Sequence, residues 1–202
     1  MGFPRHRCFV YSGAPSNNLK GLSWFLISQL KAGSRCIYLN SPAMVAGMRS
    51  YLAADGVDLE KKTTDGTLVL SSDQSHLVEG RFEGPRMLEM LTKEVHRAMA
   101  DGYKSLFVTG DLTWEFGSER NFDKLLEYER GLEEVFQAYP ILRGICQYHR
   151  DTLPPKAIED GLLTHRALYV SETLSLINPQ YVPPVRGEHR RPLNLKASLV
   201  QS

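Results

Sequence analysis

The alternation of short apolar runs with helical stripes constrains this chain more than any other feature. Cys8-Phe9-Val10-Tyr11 reads as a strand, and from Leu19 to Lys31 the residues Leu19, Leu22, Leu26 and Leu30 recur at helical spacing. Phe25 widens that stripe, and Gly33 supplies a helix stop. Cys36-Ile37-Tyr38-Leu39 is the next strand, followed by a helix across Ala43 to Ala54 that ends near Gly56, and then by the strand Thr67 to Leu70. A helix from Pro85 to Ala100 carries Leu88, Leu91, Val95 and Met99 on one stripe, with Pro85 suited to its first turn. Ser105 to Thr109 is a buried strand. Asn121 is a good N-cap for a helix whose inner face is Leu125, Tyr128, Leu132 and Val135, and Ile141 to Gln147 and Ala167 to Val170 complete the strands. Without adjacent hairpin signals, this order predicts an α/β three-layer sandwich around a mostly parallel sheet, both faces covered by helices.

Length and composition fit one such unit. The chain has 202 residues, of which 42% are apolar and 23% charged, enough to bury a substantial core without staples. Residues 1–182 are expected to form the domain. Residues 183–202, with Pro183-Pro184, Arg186, His189, Arg190, Arg191 and Pro192, read as a solvated tail or linker. A formal net charge of +1 gives no general pull toward nucleic acid or anionic lipid. Cys8, Cys36 and Cys146 are odd in number and lie in apolar runs, which favours buried thiols in a reducing compartment over disulfides or a metal site. No apolar run approaches the roughly 20 residues of a membrane span, and no signal peptide is evident, so the cytoplasm is the expected location.

Ligands of open parallel sheets bind beyond the carboxyl ends of the strands. The loop after the first strand, Ser12-Gly13-Ala14-Pro15-Ser16-Asn17-Asn18-Leu19-Lys20, departs from the phosphate-loop pattern G-x-x-x-x-G-K-[ST]. Asn18 stands where the second glycine belongs, Leu19 where the lysine belongs and Lys20 where the hydroxyl belongs. A polar loop feeding a helix N-terminus still attracts anions. The plainer alternative is that Ser16 or Asn17 caps the helix and Lys20 is solvated.

Asp111, at the end of the strand beginning at Ser105, stands where a phosphate-loop enzyme keeps its magnesium-orienting aspartate; it is also an ordinary turn residue. The second strand runs into Asn40-Ser41-Pro42, which offers no carboxylate to orient an attacking water. Thr113, Trp114, Gln147, Tyr148 and His149 are expected near the same edge, as a pocket with an aromatic wall or as rim packing. The ligand-binding candidates are therefore Gly13, Ser16, Asn17, Asn18, Lys20, Asp111, Thr113, Trp114, Gln147, Tyr148 and His149. Six histidines include no tight ligand pair, and no nucleophile motif is present, so no metal or catalytic residue is assigned.

Several spaced segments, Cys8-Phe9-Val10-Tyr11, Gly110-Asp111-Leu112-Thr113-Trp114, Leu126-Glu127-Tyr128-Glu129, Cys146-Gln147-Tyr148, Thr164-His165 and Asn178-Pro179-Gln180-Tyr181, together resemble the MEDS domain. This domain is named from methanogens, methylotrophs and the sensory part of the regulator DcmR. The stretch Leu52 to Leu70 is similar to RecA-like ATPases related to KaiC. The resemblance covers Arg7 to Pro183 and implies a RecA-like fold with a degenerate phosphate loop and a sensory role beside signalling or transcription modules. It carries over no ligand, and a nucleotide is one candidate.

Three functions follow as expectations. The first is a non-enzymatic sensor binding a small molecule at the carboxyl edge of the sheet. The second is a diverged ATPase that retains Asp111 and Lys20. The third is an interaction module with an empty nucleotide pocket, for which the acidic helix from Glu127 to Glu134 offers a surface, or otherwise a solvated face, and which could self-associate as RecA-like domains do.

Overall fold

The computed structural model describes residues 5–118, 120–171 and 173–183. In chain order the elements are β1 (His6–Tyr11), α1 (Leu19–Lys31), β2 (Ser34–Leu39), α2 (Pro42–Ala54), α3 (Leu59–Thr64), β3 (Leu68–Ser71), β4 (Leu77–Val78) and β5 (Arg81–Phe82). There follow α4 (Gly84–Ala100), β6 (Ser105–Asp111), α5 (Leu112–Glu115), α6 (Leu125–Ala138), β7 (Leu142–His149), α7 (Pro155–Thr164), β8 (Ala167–Tyr169) and β9 (Ser175–Ile177). Among the described residues the main sheet has seven strands in the order β3-β2-β6-β7-β1-β8-β9. Each neighbouring pair is parallel except β8 with β9. The expected three-layer α/β sandwich is therefore the fold.

Its two cores are the two faces of the sheet. Side chains alternate across a strand, so Cys36, Tyr38, Phe107 and Ile145 face α1 and α2 and pack on Leu22, Leu26, Met48 and Leu52. Their neighbours Ile37, Leu106, Leu142 and Tyr148 face α4, α6 and α7 and pack on Leu88, Val95, Leu132 and Phe136. The apolar run of each central strand follows from burial on both faces. Among the described residues no helix is long and apolar enough to cross a membrane.

Several expectations need correction. Asn121 does not cap the helix after β6: its Oδ1 accepts from Asp123 N–H at 3.0 Å, a local Asx turn, and α6 begins at Leu125 after Lys124. β7 runs two residues beyond Gln147, which makes Tyr148 and His149 strand residues on opposite faces. Met99 is 53% exposed, off the stripe that buries Leu88 and Val95. Two hairpins were not foreseen, β4–β5 and the antiparallel β9. The residues of the expected tail beyond Pro183 lie outside the described residues.

Candidate functional site

The loops after β1, β6 and β7 meet at the carboxyl edge of the sheet. Gly13, at φ 79°, donates its N–H to Asp151 Oδ2 at 2.7 Å, and its carbonyl lies 2.9 Å from His149 Nε2. Thr113 and Thr152 hydroxyls are 3.0 Å apart, and Thr152 Oγ1 is 3.1 Å from His149 Nδ1. The His149 ring stacks on Tyr11, whose hydroxyl donates to Asp111 Oδ2 at 2.8 Å. Asp111 Oδ1 accepts from Trp114 N–H at 3.1 Å, which caps α5. Burial raises the Asp111 carboxyl above its ordinary value, and the donors Tyr11 and Trp114 oppose that shift. Gln147 donates to Thr109 Oγ1 at 2.9 Å.

Most polar groups of the edge thus pair with one another, although among the described residues the buried Asn18 Nδ2 has no hydrogen-bond partner. Asp151 offers its carboxylate to the Gly13 N–H, one of the loop donors a phosphate would use, and both Asp111 oxygens already accept hydrogen bonds. Ser16, Asn17 and Asn18 form a single 3-10 turn, Pro15–Asn18, that delays α1 to Leu19. No side chain caps either helix, so the capping expected of Ser16 or Asn17 is not observed, and Lys20 is exposed. Asn40 is occupied with Tyr38 OH and Ser41 N–H.

The side chains of Trp114 and Tyr148 lie apart from that network. Trp114 helps to line a cavity of about 340 Å³ between the sheet and helices α4 and α6. Ile37, Leu39, Val69 and Val108 form its floor, and Met87, Met90, Leu91, Leu132 and Phe136 its roof. One end carries the ion pair of Arg35 and Glu94, 2.6 Å apart. The other end carries Ser71, Asp73, Ser75, His76, Trp114 and Glu115. His76 Nε2 donates to the Glu115 carbonyl at 2.7 Å, and its ring leans on Trp114. The Glu115 carboxyl lies directly over Gly110, where an added Cβ would fall 2.0 Å from Oε1 and the carboxyl would have to move. Burial pushes that carboxyl up to about 8, and Glu129 and Asp111 push the same way, so the fold favours its protonated form.

A second buried cluster adjoins the cavity through Cys146. His6, Glu129, Cys146 and His165 bring one ligand-type atom each to within 4.8 Å of the others. Glu129 and His165 are both 0% exposed, so the acidic helix from Glu127 to Glu134 is no simple solvated face. Tyr148, fully buried, donates to Glu129 Oε1 and packs against Gly161 of α7. Burial pushes Glu129 up to about 7 and His165 well below its ordinary value. Sequence spacing could not announce this cluster, because its members come from β1, α6, β7 and the C-terminal cap of α7. The pairing of β1 with β7, which sets His6 opposite Gly144, is what brings the first and third together.

Sheet order, layers and edge loops define a RecA-like α/β domain. A solved KaiC-like protein from the hyperthermophilic archaeon Pyrococcus horikoshii OT3 has this fold, with 17% identity, a TM-score of 0.52, and 83% of this chain and 73% of that one covered. No curated protein sequence matches the chain. The model of the MEDS family, the methanogen/methylotroph, DcmR sensory domain, matches residues 5–166, and the chain belongs to that family.

Proposed function

We propose that this MEDS domain senses a small, largely apolar molecule held in the cavity between the sheet and helices α4 and α6, without acting on it chemically. The observation that carries this reading is the cavity itself. Its volume of about 340 Å³ is at the lower end of the range of ~300–1,000 Å³ usual for small-molecule sites, and its middle is aliphatic and aromatic while polar groups stand at its ends. A neutral Glu115 would donate its O–H to a hydroxyl or carbonyl of such a ligand. A charged head would be penalised by burial.

In this reading Trp114 is the member of the sequence-nominated set that touches ligand. Gly13, Ser16, Asn17, Asn18, Lys20, Asp111, Thr113, Gln147 and His149 shape and close the carboxyl edge, and Tyr148 holds Glu129. Leu19 in the lysine position, Asp151 against the Gly13 N–H and the absence of a carboxylate at Asn40-Ser41 speak against nucleotide turnover. A sensor needs an output, and a signalling or transcription-regulating partner would receive the bound state.

Thermal-shift and calorimetric titrations with neutral probes such as cyclohexanol, benzyl alcohol and indole test the proposal. Saturable stabilisation is expected from at least one probe, and Leu91→Trp, which fills the cavity, should remove it while leaving the circular dichroism spectrum intact. The reading fails if no probe stabilises the wild type, or if Leu91→Trp binds as well as wild type does.

A further inference from the structure

We propose that His6, Glu129, Cys146 and His165 form a four-coordinate site for a divalent ion of the zinc class. The argument starts with where the protons are. His165 Nδ1 lies 2.7 Å from the Gly161 carbonyl oxygen, which can only accept, so Nδ1 carries the hydrogen and Nε2 presents a lone pair. His6 Nδ1 lies 3.0 Å from Glu133 Oε2, which accepts its hydrogen and leaves Nε2 as the ring nitrogen that faces inward and that a metal would take. Tyr148 engages Glu129 through Oε1, which turns Oε2 toward the two imidazoles. Three electron-rich atoms therefore converge in a space shared with a thiol.

The packing leaves two of the three without a partner. His6 Nε2 is 3.4 Å from Cys146 Sγ, whose S–H can donate to it. His165 Nε2 and Glu129 Oε2 face each other at 3.6 Å, and among the described residues neither has a hydrogen-bond partner although both are fully buried. Two unpartnered buried acceptors in contact are unfavourable in a protein interior unless a proton or a metal ion lies between them. A divalent ion that also takes the thiolate, its proton passing to solvent, resolves both faults at once.

Geometry and chemistry agree. Zinc bond lengths of ~2.0–2.3 Å to N, O and S require ligand atoms roughly 3.4–3.6 Å apart in a tetrahedron. Three of the separations, 3.4, 3.6 and 3.9 Å, are within a few tenths of an ångström of that spacing, and the other pairs, all within 4.8 Å, would close further around an ion. Two imidazoles, one thiolate and one carboxylate suit a borderline ion such as zinc better than magnesium or calcium, which prefer all-oxygen shells. Each histidine has its outer nitrogen fixed by a carboxylate or a carbonyl, the support that metal-binding histidines regularly receive. Cys146 also lines the cavity, so the ion would form part of its wall.

Cobalt titration of the chelator-stripped full chain tests the site. Near-stoichiometric uptake is expected, with a thiolate-to-cobalt charge-transfer band and the intense visible bands of four-coordinate cobalt, both displaced by zinc. Cys146→Ser should lose the charge-transfer band and keep the wild-type circular dichroism spectrum, whereas Cys8→Ala should keep both. Should Cys146→Ser fail to fold, Glu133→Gln, which reaches the cluster through His6 Nδ1, should weaken zinc binding by ~10–100-fold. Leu91→Trp should leave the cobalt spectrum unchanged, which separates this site from the occupant of the cavity. The proposal is overturned if folded, stripped wild type shows no charge-transfer band and no zinc-dependent rise in Tm, or if the band survives Cys146→Ser.

Discussion

Substituting Glu115 by glutamine should change how the stability of this domain depends on pH. The carboxyl is buried over Gly110, receives one hydrogen bond from Tyr128 at 3.3 Å, and sits within the fields of Glu129 and Asp111. Burial first, and then those two charges, move its pKa from the ordinary 4.5 to about 8 against the opposing hydrogen bond from Tyr128. The folded state then holds a proton that the unfolded chain has released, across the interval between those values. Where the folded state binds more protons, the free energy of unfolding falls as pH rises, so the loss begins near 4.5 and levels off above about 8. At ~1.4 kcal/mol per unit of pKa difference, the full interval is worth on the order of 3–5 kcal/mol. Glutamine keeps the shape and an acceptor for Tyr128 but has nothing to titrate. Urea unfolding at half-unit steps from pH 5 to 9, with both proteins in the same metal state, should show Glu115→Gln gaining on wild type by most of that amount. Parallel stability curves for the two proteins between pH 5.5 and 8 would refute the assignment of a neutral, buried Glu115.

Three further outcomes are expected. Gly161→Ala should destabilise the domain by ~1–3 kcal/mol, read as a fall of ~2–10 °C in Tm, because its Cβ would lie 2.5 Å from the Tyr148 ring; a rise in Tm, as helix propensity alone predicts, would contradict the packing described. Tyr11→Phe should cost ~1–3 kcal/mol in chemical denaturation by leaving buried Asp111 Oδ2 without its donor, and an unchanged midpoint would show that this contact carries no weight. Phosphate-release assays should find no magnesium-dependent ATP turnover; a rate near ~1 per second that Asp111→Ala abolishes would restore the ATPase reading.

The layers of this fold were legible because they depend on local periodicity. Leu19, Leu22 and Leu26 of α1 are buried as their spacing requires, and so are Leu88 and Val95 of α4. The β4–β5 hairpin was invisible for a physical reason: its turn residues Glu79 and Gly80 both take positive φ, at 51° and 80°, and glutamate is an unusual residue in that conformation. Asn121 misled because its side chain serves a turn as readily as a helix start. The meeting of the loops after β1, β6 and β7 followed from parallel topology, whereas their mutual hydrogen bonding depended on Asp151 and Thr152, which nothing in the local sequence distinguishes. The cavity and the histidine cluster were hidden for a deeper reason. Both arise where α4, α6 and α7 settle on one face of the sheet, and periodicity reports that a face is apolar without reporting how closely two apolar faces meet.

Helix α6 serves both of those places with consecutive residues. Tyr128, Leu132 and Phe136 border the cavity, while Glu129 and Glu133 point into the histidine cluster one step around the same cylinder. Neighbouring positions on a helix are ~100° apart, so a roll large enough to redraw the cavity wall would pull Glu129 from His165 and Tyr148. The helix is in effect keyed, like a shaft that can slide or tilt in its bearing but cannot spin. In the proposed sensor, motion passed from the cavity to the surface would therefore take the form of a shift or lean of α6 and not of a roll.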